Sequence, residues 1–206
     1  MRLVPEHFNA LINRVGQRLS WKASRGCACR DPYSGSPVPD CPACGGLGRI
    51  WDSGIASIAA PAGVKVQRQW ADFGMWMAGD VVVTLPSDQP AYSMSEGDRM
   101  VLMDSTEPFS LVIPVGGRLT GVVASLSRCT YLLAGVETDA VLPTLTDTGL
   151  LTWPNDDGPG AVQVVLTGRR HPEYFAFSDF PQDRAHQLGD PLPRRVVLRR
   201  FDLWGR

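Results

Sequence analysis

The chain has 206 residues, 44% of them hydrophobic, which suits one large domain or a domain with an appendage, and its net charge is −1. That balance argues against a dedicated nucleic-acid binder, whose domain is usually strongly basic. No apolar run approaches the roughly 18 residues that cross a bilayer, and Met1-Arg2-Leu3-Val4-Pro5-Glu6 lacks the apolar core of a secretory signal. The expectation is therefore a chain made in the cytosol, with no membrane partner and no sequence-specific nucleic-acid partner.

Residues 5–20 read as one amphipathic helix. Phe8, Leu11, Ile12, Val15 and Leu19 recur at helical spacing, while Glu6, Asn9, Asn13, Arg14, Gln17 and Arg18 fall on the other face. Pro5 suits a first-turn position. A lone helix must bury its apolar stripe against the rest of the chain or against another copy, so Phe8, Leu11 and Ile12 are candidate interface residues.

The next stretch organises the chain. Cys27, Cys29, Cys41 and Cys44 fall within eighteen residues, with Pro32, Gly35, Pro37 and Pro39 between them, so no helix or paired strand runs through. Too short and polar to order itself by apolar burial, the segment needs an external tie. Four thiols at C-x-C and C-x2-C spacing suit one tetrahedral zinc ion, which supplies folding energy and, with four thiolates, keeps no open position for catalysis. Two disulfides or free thiols are the alternatives. The trailing Gly45, Gly46 and Gly48 let backbone N–H groups approach the sulfurs. The eight residues Cys41-Pro-Ala-Cys44-Gly-Gly-Leu-Gly48 resemble the C-x2-C-x-G-x-G unit of DnaJ-type chaperone zinc fingers; the unit appears once, the other half is C-x-C, and the resemblance implies zinc binding only.

From residue 60 the texture is β. Short apolar or alternating runs recur at 64–70, 81–85, 99–103, 111–115, 118–126, 131–136, 150–153, 162–166 and 195–203. Gly79-Asp80, Glu96-Gly97-Asp98 and Gly116-Gly117 punctuate them, as does the acidic Asp156-Asp157 before Gly158-Pro159-Gly160. This argues an antiparallel β-barrel or sandwich. The predicted layout is a helix over 1–22, a zinc knuckle over 23–50, and a β-body over 51–206 whose end, from about 168, is an extended arm or an edge strand. Cys129 reads as a buried small hydrophobe on a strand.

Two stretches are candidate partner surfaces. Trp70-Ala-Asp-Phe73-Gly-Met75-Trp76-Met77 either caps the core or inserts into a partner. Near the C-terminus, Arg194, Arg195, Arg199 and Arg200 flank Val196, Val197 and Leu198. As an edge strand they would blunt edge pairing; as an arm they would cross the next subunit. Charge is uneven in a way that suits such contacts: residues 1–50 carry +4, 51–167 carry −8 and 168–206 carry +3. Simple solubility also accounts for it.

No phosphate loop, nucleophile elbow or H-E-x-x-H pair is present; His7, His171 and His186 read as a helix-end residue and two loop residues. The expectation is no enzyme. Helix, four-cysteine knuckle, β-rich body and Leu192-Pro193-Arg194-Arg195 tail, in that order, resemble small structural proteins of tailed-bacteriophage virions. The resemblance implies a head–tail connector component (adaptor, stopper or tail-completion protein) that forms a homo-oligomeric ring between portal and tail. A zinc-containing nucleic-acid-binding barrel is the rival reading.

Overall fold

A computed structural model describes residues 4–146, 149–154, 160, 162–180, 186–187 and 189–204. Asp156 and Asp157, read above as part of a turn, lie outside the described residues. Two compact units are present, Met1–Asp104 with Glu173–Arg206, and Ser105–Pro172. Unit 1 begins with α1 (Pro5–Val15), β1 (Gln17–Lys22), β2 (Ser24–Gly26), β3 (Arg49–Trp51), β4 (Ile55–Pro61), α2 (Val64–Asp72), β5 (Val81–Leu85), a 3-10 turn over Pro90–Ser93, and β6 (Arg99–Leu102). Unit 2 holds β7 (Glu107–Pro114), β8 (Val123–Leu133), β9 (Val136–Ala140), β10 (Thr144–Leu145), β11 (Leu151–Thr152) and β12 (Gln163–Arg170). Unit 1 then resumes with β13 (Glu173–Asp179), β14 (His186–Gln187), β15 (Asp190–Pro191), β16 (Arg194–Arg200) and a 3-10 turn over Phe201–Leu203.

The protein is mainly β, and its centre is a closed antiparallel barrel in the order β1-β4-β5-β16-β13-β6. Period-two alternation explains the lining: Leu19, Ala59, Val83, Leu85, Met100, Leu102, Ala176, Val196 and Leu198 form its core. Val82 and Val197 belong instead to a second cluster with Trp70 and Phe180, where α2 covers them. Those two strands are therefore apolar on both faces.

Four expectations need correction. The N-terminal helix stops at Val15 rather than running to residue 20. A Cβ on Gly16 would meet the Ile12 carbonyl oxygen at 2.7 Å and Ile58 Cγ2 at 2.6 Å, and the chain beyond alternates as a strand with Leu19 and Trp21 buried. Residues 64–72 are helix, not strand, because Val66 and Trp70 stand four apart on one face against the barrel. The body is not continuous: unit 2 is inserted between β6 and β13, which pair with each other. Within it, β7-β12-β8-β9 form a four-stranded sheet over a core that includes Ile113, Cys129, Val164 and Leu166. Cys129 is buried on β8, as expected.

The last correction is to the C-terminal stretch, which is neither arm nor edge. β16 pairs β5 on one side and β13 on the other, with Val197 and Leu198 fully buried. Its arginines are absorbed internally. Arg199 forks onto Asp80, whose side chain is 0% exposed, and stacks 3.6 Å over the Phe177 ring. Arg194 bonds the Met94 carbonyl and lies 3.7 Å from Asp179. Arg195 sits over Phe180, and Arg200 pairs with Asp202.

Candidate metal centre

The knuckle hangs on a two-stranded stem in which β2 pairs with β3, so Ser24 faces Trp51 and Gly26 faces Arg49. Asp98 fixes this stem to the barrel. Only 3% exposed, it accepts from Trp21 Nε1 at 2.9 Å, from the Ser24 amide at 2.7 Å and from the Ser95 amide at 2.9 Å. Trp51 donates from Nε1 to the Gly97 carbonyl and meets Phe201 and Trp204 edge-on at 5.3 and 5.9 Å. Trp204 in turn donates to the Leu47 carbonyl. Residues after β16 therefore hold the knuckle's stem.

At its tip the four sulfurs of Cys27, Cys29, Cys41 and Cys44 converge, with Sγ–Sγ distances of 3.4–3.8 Å. A disulfide would need about 2.0 Å, and all four thiols are free. Four thiolates around one zinc at about 2.3 Å would stand about 3.8 Å apart at the edges of a tetrahedron. The residues present thus fit one tetrahedral ion. Backbone geometry supports the same arrangement. Gly48, at φ +72°, sends its N–H to Cys44 Sγ at 3.3 Å, and its carbonyl accepts from the Cys27 amide at 3.0 Å. Gly46, at φ +79°, leaves no room for a Cβ, which would lie 2.5 Å from the Pro39 carbonyl oxygen.

Backbone N–H groups of Cys44 and Ala43 bring the Cys41 thiol down to about 6. Burial, chiefly, pushes Cys29 up to about 12. A set holding one acidic thiol accepts a divalent cation readily, because the others deprotonate as the ion arrives. Beside Cys44 lies a cavity of about 310 Å³ lined also by Lys22, Arg49, Trp51, Asp52 and Arg99. A zinc ion with four thiolates carries charge −2, so these cations offset it.

The other predicted residues are dispersed. Trp70 is core, and its indole donates to Asp80. Phe73, Met75 and Trp76 stand exposed in the loop after α2, and Phe8 and Leu11 are exposed on α1 with Ile12 half-buried. His171 is half-buried in unit 2, with Nδ1 2.9 Å from the Ser105 carbonyl oxygen. Sequence reasoning missed Asp98, Trp51 and Trp204 as supports of the centre. The only signal was Glu96-Gly97-Asp98, read as a turn and nothing more. Comparison with protein-family models and with curated proteins finds no match to this chain.

Proposed function

We propose that the chain is a structural virion protein of a tailed bacteriophage, a ring-forming component of the head–tail connector, with zinc as the structural ion on Cys27, Cys29, Cys41 and Cys44. Its role is assembly, not catalysis. The observation that carries the reading is apolar surface turned outward on several elements. Phe8, Leu11 and Val15 stand out on α1, Phe73, Met75 and Trp76 after α2, and Leu132, Leu133 and Val136 at the β8–β9 hairpin tip. Such surface on more than one element marks protein–protein contacts. Portal and tail components on either side of the ring follow from the connector reading. Native mass spectrometry and negative-stain electron microscopy of the purified protein test it. Closed particles of one stoichiometry support it, and a monomer at 100 µM overturns it.

The rival, a zinc-containing barrel that binds single-stranded nucleic acid, draws on the cavity with Lys22, Arg49, Arg99 and Trp51. We rank it second on charge, since the loaded centre and Asp52 cancel those three cations and leave phosphate little net attraction. A gel shift with single-stranded DNA at physiological salt that shows tight binding would reverse the ranking.

A further inference from the structure

The peptide unit between Leu47 and Gly48, in the loop that follows Cys44, is hydrogen-bonded at both ends of its plane. Its N–H, from Gly48, donates to Cys44 Sγ at 3.3 Å. Its carbonyl, from Leu47, accepts from Trp204 Nε1 at 3.2 Å. A trans peptide is planar, with C=O and N–H pointing in opposite directions, so whatever fixes the oxygen also aims the hydrogen. The Trp204 indole thus sets the direction of a donor that faces the sulfur of a metal ligand.

The loop alone leaves that direction free to change. Gly48 sits at φ +72°, and a glycine passes from there to other backbone conformations without the penalty a Cβ imposes. Rotation of this one peptide plane would turn the N–H away from Cys44 and bring the carbonyl oxygen round, whose negative end repels a thiolate. Trp204 can hold the plane because it is itself held from the barrel. It follows the 3-10 turn after β16, and its amide donates to the Phe201 carbonyl at 3.0 Å. Its ring meets Phe175 of β13 edge-on at 4.8 Å and Trp51 of the stem at 5.9 Å, with the Arg49 guanidinium 5.7 Å from its centre. The indole is clamped between a barrel strand and the stem, and it reaches the loop from 157 positions further along the chain.

An N–H aimed at a thiolate makes a charge-assisted bond, stronger than one to a neutral thiol. The two bonds form a chain, indole N–H to carbonyl and amide N–H to sulfur, in which each polarises the other. The gain from Trp204 is therefore largest when the sulfur is charged, which is its state as a metal ligand. From this we infer that Trp204 is a positioning residue of the metal centre. Acting through the Leu47–Gly48 peptide, it strengthens the grip of the four cysteines on their ion, and the bound ion in turn holds the turn after β16 in place. The inference rests on the zinc reading of the centre. The two effects are reciprocal, because linkage makes metal and indole strengthen one another by the same factor.

The test uses the full-length chain and two variants, Trp204→Phe, which keeps a ring against Phe175 and Trp51 but loses the indole N–H, and Trp204→Ala, which loses both. Titration of zinc against a chromophoric chelator should show Trp204→Phe binding about fivefold more weakly than the wild type, the worth of one neutral hydrogen bond. Trp204→Ala should bind about tenfold or more weakly, since the ring contacts go as well. In cadmium-loaded protein the cadmium NMR resonance should move in both variants, because the Gly48 N–H is no longer held on Cys44 Sγ. In the wild type the Trp204 indole N–H should exchange with water about fivefold faster once a chelator has removed the metal. Trp204→Phe that binds zinc within about twofold of the wild type, or leaves the cadmium resonance unmoved, overturns the inference and leaves the zinc centre standing. A loss confined to Trp204→Ala does the same, because ring packing and not the N–H is then at work. A wild-type indole N–H indifferent to the metal overturns the inference without any variant. A wild type that takes up no zinc overturns the zinc reading and the inference together.

Discussion

Asp80→Ala removes one carboxylate from the wall of the barrel, and its cost follows from what that group touches. Asp80 has a side chain 0% exposed and takes Arg199 Nε at 3.0 Å and Nη2 at 2.9 Å, Trp70 Nε1 at 3.1 Å and the Met77 amide at 3.1 Å. Without it the Arg199 guanidinium, in a side chain 11% exposed, remains buried and unpaired. Breaking such a pair from one side costs about 3–5 kcal/mol, against about 5–15 for the stability of a whole domain. At about 3 °C per kcal/mol for a domain of this size, the transition should fall by about 10–15 °C. Asp80→Leu/Arg199→Met removes both charges and should recover only part of that loss, because the stranded cation is gone while Trp70 Nε1 and the Met77 amide still lack their acceptor, at about 1–3 kcal/mol for each buried donor. Urea unfolding followed by tryptophan fluorescence reads this well, since Trp21, Trp51, Trp70, Trp76 and Trp204 belong to unit 1 and Trp153 alone to unit 2. A double variant as unstable as the single one would refute the reasoning, since the stranded cation would then contribute nothing beyond the loss of the carboxylate as an acceptor.

Elemental analysis of protein purified without chelator should give one zinc per chain, and Cys41→Ser should abolish it. In that variant amide exchange should quicken at Cys27, Gly45 and Gly48, whose N–H groups bond within the knuckle, while β4, β5 and β16 stay protected. Deleting residues 190–206 should leave an unfolded, aggregating unit 1 by circular dichroism, because it takes a central strand from the closed barrel; a soluble, zinc-loaded product would contradict the topology. Cys129, 1% exposed and with burial raising its thiol above the usual range, should resist a thiol reagent in the folded protein and react once denatured.

The four cysteines were legible because ligand spacing is local, and so were most strands, whose alternation is local too. What escaped was set by distant residues. The period of Phe8, Leu11 and Val15 marks a helix, but Ser87, Asp88 and Gln89, bonded to Asn9 and Asn13, decide which face turns inward. Helix α2 was hidden because its face against the barrel rests on little more than Val66 and Trp70 within an otherwise polar segment. The arginines of β16 suggested solvent, yet Arg199 is internal because Asp80, more than a hundred residues earlier, neutralises it. The insertion left no mark in composition: unit 2 is made of the same short strands and turns as the barrel strands that precede and follow it in the chain.

That insertion also sets an order of events during synthesis. The metal centre closes over neighbouring residues, from the stem at Ser24 to its partner at Trp51. The barrel cannot close until β16, the last of its six strands in the chain, slots between β5 and β13. At about 5–20 residues per second, some 150 residues separate the two moments, a delay of roughly 10–30 s. During it the knuckle can already be loaded, and once made, β5 presents a bare apolar edge of Val81, Val82 and Val83. The nascent chain is thus most prone to aggregate in the interval that ends when Val196, Val197 and Leu198 arrive.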